Sequence, residues 1–327
     1  MAAELLRSGA VVGMPTETVY GLAANACDEE AVGRIFTAKG RPQDNPLIVH
    51  ISKPDAIDEI SKNISNDARK LAEAFWPGPL TMVLPDNGVA AKNVTAGLGT
   101  IGVRLPANPV ARALIEQAGV PLAAPSANLS GSPSPTSAQH VLADMRGRIP
   151  AVIDGGQCVV GLESTVVSLV GAPIILRPGF VTREGMEAVL GRPVALSPHL
   201  ENELPEGERA HSPGMKYKHY APKAEITILL ANDSDYYAYV NNHGGENVFA
   251  LCFSEDIPHL TIPHVSLGSR HAPEEQAAGL FSVLRLLDQR GAKTVYARMP
   301  MNNGVGLAVR NRLLRAAAFR VVDLAGK

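Results

Sequence analysis

The sequence predicts an α/β protein of two domains: a larger one built on a mixed sheet, then a smaller α/β domain. Three observations carry this. The chain has 327 residues, and domains usually take roughly 100–200 each. Short apolar runs alternate with helical patterns from residue 10 to about 190, and again beyond 222. Between them, residues 191–222 lose all periodicity. Pro193, Pro198, Pro205 and Pro213 punctuate that stretch, and Glu201, Glu203, Glu206 and Glu208 charge it, which is the composition of a linker.

The elements follow in order. Residues 1–10 read as a short amphipathic helix end with Glu4 and Arg7, without the apolar core of a signal peptide. Strands are predicted at 10–14, 47–51, 80–84, 101–105, 151–154, 165–169 and 174–176, with helices between them. Asp28 is a good N-cap for a helix that puts Val32, Ile35 and Phe36 on one face. Asn108 caps another, with Pro109 in the first helical position. Beyond the linker, strands are predicted at 226–230, 248–252, 294–297 and 321–324, and helices at 273–289 and 307–318. The predicted domains are 1–190 and 223–327, joined by 191–222.

Composition excludes several classes of protein. With 46% hydrophobic and 19% charged residues, the chain is not disordered. Thirty glycines and 25 prolines without a G-X-Y period mean many shaped turns rather than collagen. A net charge of -2 argues against holding nucleic acid by bulk charge, though not against a local basic pocket. Cys27, Cys158 and Cys252 are scattered and form no CxxC pair. Neither a disulfide framework nor a cysteine zinc site is expected, and a reducing, cytoplasmic setting is. No run of 18 apolar residues suggests a membrane span.

Six segments could carry chemistry. Residues 14–22 (MPTETVYGL) follow a strand and are dense in hydroxyls, at the place where α/β sheets tend to hold ligands. A loop with local hydroxyl turns explains them equally well. Lys39 and Arg41 flank a glycine just past a helix end. Such a pair can grip phosphate, Arg41 through a two-pronged contact and Lys39 as a point charge, or merely complement the helix dipole. Arg104 alternates with Val103 and Leu105, so it leaves one sheet face. Residues 123–130 (AAPSANLS) are small enough to let the backbone approach a ligand. Ser164 has no GxSxG elbow, and the chain has no GxxxxGK[ST] loop, so an α/β-hydrolase nucleophile is unsupported and the pattern argues against an ordinary P-loop NTPase. Arg177 before Pro178-Gly179 offers one more anion contact or a plain salt bridge. Residues 212–222 (SPGMKYKHYAP) carry aromatic residues that a solvated tether does not need.

Taken together and in order, these strings resemble one family. PTETVYGL, KGRP with DNPLIVH, FWPGPLT, TIGVRLP, APSANLSG, ESTVV and LRPG are similar to the YrdC-like domain. With SPGMKYKHYAP and a further domain, the whole chain resembles the long, two-domain threonylcarbamoyl-AMP synthases. The resemblance implies a twisted sheet with a concave basic cavity, followed by a smaller Rossmann-like domain. It implies synthesis of threonylcarbamoyl-adenylate from L-threonine, bicarbonate and ATP with Mg2+, releasing pyrophosphate. A tRNA threonylcarbamoyltransferase complex downstream would receive the product, with no tRNA contact needed for this step. By the same resemblance, Thr18, His50, Arg104, Ala124 and Ser164 would hold threonine. Arg41, Asn45, Thr100, Ser126, Ser134, Arg177 and Tyr217 would hold ATP, and Lys39 with Arg41 would supply catalytic charge. Segment 212–222 is then expected to act as a lid.

Two rival readings fare worse. An RNA-holding module would be net basic and rich in aromatic platforms, whereas the charge is -2 and aromatics are 5%. The related carbamoyltransferase of hydrogenase maturation would need cysteine zinc motifs.

Overall fold

The computed structural model describes residues 1–43, 45–200 and 220–324. They divide into two compact units, with most of the chain up to residue 200 in the first and residues 220–324 in the second.

The first unit holds a mixed sheet of ten strands. They are β1 (Val12–Met14), β2 (Gly21–Asn25), β3 (Ile48–His50), β4 (Leu80–Pro85), β5 (Thr100–Arg104), β6 (Leu122–Ala123), β7 (Ala151–Val152), β8 (Thr165–Ser168), β9 (Ile174–Arg177) and β10 (Ala195–Leu196), in the order β10-β9-β8-β4-β5-β3-β6-β2-β1-β7. All seven strands predicted for this part are present. The three that were not are weak in sequence: β2 is Gly-Leu-Ala-Ala-Asn, poor in β-branched residues, and β6 and β10 have two residues each. The predicted boundary at 190 falls inside this unit, because Ala195 and Leu196 pair in parallel with Ile174 and Ile175, and Leu200 is buried. Pro193 and Pro198, just outside so short a strand, disguise it as linker.

Both predicted caps are present. Asp28 accepts from the backbone N–H of Glu30 and Ala31 ahead of helix Glu29–Lys39, and Asn108 does the same for helix Pro109–Ala118. Val32, Ile35 and Phe36 face the core as the periodicity requires.

Side chains alternate between the two sheet faces, which have different covers. On one face, Val49, Leu80, Met82, Leu84, Ile101, Val103 and Val167 join the main core with Val32, Ile35 and Phe36. At the β6-β2-β1 end, the opposite face supports a smaller core of Val12, Met14, Ala23 and Leu122 packed with Leu6, Leu114 and Ile115. Across β3, β5, β4 and β8 the opposite face carries His50, Thr81, Thr100 and Arg104 among Ile48, Val83 and Val166.

The second unit is an all-parallel sheet of β11 (Glu225–Leu230), β12 (Val248–Cys252), β13 (His264–Ser266), β14 (Thr294–Arg298) and β15 (Val321–Asp323), ordered β13-β12-β14-β11-β15. Helix Pro273–Gln289 matches its predicted span, whereas the predicted 307–318 helix begins earlier, as Gly304–Ala316. Among the described residues no helix is long and apolar enough to cross a membrane.

Candidate active site

The polar face is written into strand β5, Thr-Ile-Gly-Val-Arg. Ile101 and Val103 enter the core, so Thr100, Gly102 and Arg104 take the other side. Strand register brings their neighbours alongside. Parallel β3 aligns Ile48 with Gly102 and His50 with Arg104. Antiparallel β4 aligns Val83 with Gly102, which puts Thr81 on the face of Arg104. The ladder continues through Thr81↔Val166 and Val166↔Arg177. A narrow cavity on this face is lined by Ile48, Thr81, Val83, Thr100, Gly102 and Val166.

Arg104 is the hub. Its Nη2 donates to Glu17 Oε1 at 2.6 Å, its Nη1 to Thr18 Oγ1 at 2.8 Å and its Nε to the Gly78 carbonyl at 3.3 Å. Both ends of the Arg104–Glu17 ion pair are buried, with side-chain exposures of 4% and 8%. Burial pushes the Glu17 carboxyl up, but the charge of Arg104 and its hydrogen bond outweigh that and hold it below the usual range. Gly78 permits this arrangement: a Cβ there would stand 2.3 Å from the Phe75 carbonyl oxygen.

Beside Arg104, His50 is buried and its Nδ1 has no partner among the described residues. Burial first, then the charge of Arg104, lowers it to about 3, so the ring is neutral at physiological pH. Ala124 follows β6 and donates its N–H to the Ile48 carbonyl. Ser164 Oγ pairs with Thr81 Oγ1 at 2.7 Å and accepts from Arg177 Nη2 at 3.1 Å, while Arg177 also grips the Ser164 carbonyl through Nε and Nη2. Four of the five residues predicted for threonine therefore lie at strand ends, Thr18 reaches Arg104 from the loop between β1 and β2, and Arg177 of the predicted ATP set joins them through Ser164.

The remaining ATP candidates are placed with differing clarity. Thr100 lies four residues from Arg104, or about 13 Å along the same strand face. Arg41 Nη2 reaches the Asn45 carbonyl at 3.4 Å. The Asn45 amide is fully buried, and neither its oxygen nor its nitrogen has a partner among the described residues. Ser134 donates to Glu163 at 2.5 Å. Lys39, predicted as a phosphate cation, donates to the Ser126 carbonyl at 2.5 Å and to the Asn128 carbonyl at 2.8 Å. Burial, then the neighbouring Arg41, pulls its pKa well down. Both acceptors lie in the loop that carries Ser126. Tyr217 and most of the 212–222 segment lie outside the described residues. Tyr220 belongs to the second unit, where its ring packs 5.3 Å from that of Phe281.

Sequence reasoning passed over Glu17, Thr81 and Glu163. All three sit inside the matched strings, but each became significant only through a partner 87, 83 or 29 residues away. The available signal was a lone hydroxyl in the apolar β4 run, Leu-Thr-Met-Val-Leu.

Two family models match. One, described as telomere recombination, covers residues 4–179, and the other, described as the C-terminal domain of threonylcarbamoyl-AMP synthase, covers 181–318. The chain belongs to the two-domain threonylcarbamoyl-AMP synthase family. Curated relatives with that name agree along their length. The Bacillus subtilis protein is 44% identical over 98% of this chain and 93% of its own. The Pyrococcus abyssi protein is 43% identical over 99% and 95%. A crystal structure of P. abyssi Sua5 complexed with L-threonine superposes with a TM-score of 0.90 at 42% identity, covering 99% of this chain and 95% of that one.

Proposed function

We propose that this chain is a nucleotidyltransferase that makes threonylcarbamoyl-AMP and pyrophosphate from L-threonine, bicarbonate and ATP. This would be the first step of threonylcarbamoyladenosine formation in tRNA, carried out in the cytoplasm. The observation that carries the reading is the polar sheet face, where Thr18, His50, Arg104, Ala124 and Ser164 converge in a chain whose relative binds L-threonine.

Two steps suffice. The threonine amine attacks CO2, formed from bicarbonate by uptake of a proton and loss of water, and releases a proton to give a carbamate; a carbamate oxygen then attacks the α-phosphorus as the bond to the departing pyrophosphate breaks. Neither needs a covalent nucleophile, and the site is built for positioning and charge neutralisation. Of the five N–H groups of Arg104, three have acceptors among the described residues, so its fork retains donors for a carboxylate. Neutral His50 offers an unpartnered ring nitrogen to the amino group. The buried, unpartnered amide of Asn45 would gain its hydrogen bonds from the nucleotide, and Arg41 and Arg177 supply positive charge to the phosphates. We read this polar face as the concave basic cavity that the family resemblance implies. Ser126, Ser134 and Thr100 would complete the ATP set, with Tyr217 contributing from the lid.

Among the described residues, no three His, Cys, Asp or Glu side chains gather to cage a metal. Mg2+ would be carried in by ATP, because it is held largely by phosphate oxygens and water. Its contribution would be to neutralise phosphate charge. The mixed anhydride formed is hydrolytically weak and would pass to a tRNA threonylcarbamoyltransferase complex, without tRNA contact at this step.

The test uses labelled bicarbonate with ATP and the purified chain. Label should enter an adenylate only when threonine is present. Equal incorporation without an amino acid would overturn the reading.

A further inference from the structure

The second unit has a feature that the reaction proposed above leaves unused. Its strands are all parallel in the order β13-β12-β14-β11-β15. The connection leaving β12 runs to β13 at one edge and the one leaving β14 runs the other way to β15, so two adjacent strands send their chains in opposite directions. In open parallel sheets, the crevice at the carboxyl ends of such a pair is where ligands bind. An open cavity of about 490 Å³ lies at that place, lined by residues 229–233 at the end of β11 and just beyond it, Phe253 after β12 and residues 299–301 after β14, with Arg270 and Arg298 on its wall. Small-molecule sites span about 300–1,000 Å³.

Four charges meet there. Arg298 donates to Asp256 through Nε at 3.1 Å and Nη2 at 2.8 Å, and its Nη2 also reaches Asp233 at 2.8 Å. Arg270 holds Asp233 through Nη1 at 3.3 Å and Nη2 at 2.8 Å, and reaches Asp256 at 3.2 Å. The two carboxylates differ in kind. Asp256 is wholly buried and also accepts from the Tyr237 hydroxyl and the Phe253 amide, so it is fixed. Asp233 is half exposed, and among the described residues its carboxylate is held only by the two arginines. The Nε of Arg270 is buried without a partner among the described residues. The loop bearing Arg270 is pinned by Ser269 Oγ on Glu255, by the Arg270 N–H on the same carboxylate, and by Gln276 Nε2 on the Ser269 carbonyl. Buried ion clusters contribute little net stability, so this investment holds two guanidinium groups ready at a cavity mouth.

We propose that this crevice binds a small molecule bearing an oxyanion, phosphate or carboxylate, on a flat or apolar body. Asp233 is its built-in competitor. The oxyanion displaces the Asp233 carboxylate from Arg270 and Arg298, and the body rests on Phe253, Met299 and Met301. The site is independent of the chemistry proposed for the first unit.

Hydrogen exchange of the full-length protein, read by mass spectrometry in peptides spanning 229–235 and 266–276, reports this site locally. The probes are inorganic phosphate and benzoate, each titrated into the millimolar range. At least one should slow exchange in both peptides of the unsubstituted chain. Asp233→Asn should tighten that binding about tenfold, equivalent to roughly 1.4 kcal/mol. Arg270→Gln should abolish it, and both variants should retain threonine-dependent adenylate formation. Which probe acts identifies the head group. The proposal falls if neither probe protects these peptides in the unsubstituted chain or in Asp233→Asn. It falls equally if Asp233→Asn binds no tighter, an outcome that holds even should Arg270→Gln fail to fold.

Discussion

Replacing Arg104 by alanine separates two roles that the structure gives one side chain. The substitution removes the donors to Glu17, Thr18 and the Gly78 carbonyl, and leaves the Glu17 carboxylate buried without its cation. Removing one partner of a buried ion pair costs about 3–5 kcal/mol. At roughly 2–4 °C per kcal/mol for a unit of this size, Tm should fall by about 6–20 °C. Threonine affinity should be lost as well, and the loss of stability alone could mimic that. Arg104→Ala combined with Glu17→Gln separates the effects: without the stranded charge, more than half of the lost stability should return, while threonine binding should not. Acid gives a second check. With Arg104 present, Glu17 titrates below its ordinary value, so its contribution is present at neutral pH and is lost as pH falls through that depressed value. Without Arg104, burial alone raises the folded-state pKa, and the penalty at neutral pH is relieved as the carboxyl protonates. The Tm gap between unsubstituted protein and Arg104→Ala should therefore narrow from pH 7 toward pH 4, measured by calorimetry at each pH. A gap that is constant or widens would refute the stranded-charge reasoning. Threonine affinity unchanged in Arg104→Ala, by titration calorimetry, would remove Arg104 from the binding site.

Four further outcomes follow from named contacts. Lys39→Met removes the ammonium from the Ser126 and Asn128 carbonyls, charged hydrogen bonds worth about 1.5–3 kcal/mol each, so exchange in 124–130 should rise with the loss of ATP affinity; weaker ATP binding with unchanged loop protection would instead put Lys39 on the ligand. Gly179→Ala drives a Cβ to 2.4 Å from the Thr165 backbone nitrogen and 2.9 Å from the Ser164 carbonyl carbon, so it should cost about 1–3 kcal/mol and weaken threonine binding, and an unchanged melt and affinity would contradict it. The His50 ring should show no NMR titration between pH 5 and 8 in the free protein, and a midpoint near 6.5 would mean that it is not buried as described. A fragment ending at residue 190 should melt below one ending at 200, because Val194 and Leu200 are buried and each contributes about 1.5–3 kcal/mol; equal melting would make β10 dispensable.

Much of this was legible in the chain itself. Local chemistry sets caps and alternation, so Asp28, Asn108 and the Thr-Ile-Gly-Val-Arg strand could be read from their immediate neighbours. The ordered strings from PTETVYGL to LRPG carried the family, because each keeps small, hydroxyl or cationic residues at fixed spacing. What the sequence by itself could not determine was which distant residues meet. That Lys39 holds a loop 87 residues away depends on where β6 enters the sheet, and that Glu17 neutralises Arg104 depends on a neighbour in a different strand's loop. Edge strand β10 was hidden because two residues between prolines have no period to detect; only pairing with Ile174 and Ile175 makes them a strand. The charge cluster of Asp233, Asp256, Arg270 and Arg298 is likewise spread over 65 positions of an unremarkable charge pattern. It becomes a site only where parallel strands end side by side, because register and crossover direction are set by the packing of the whole sheet and not by any local run of residues.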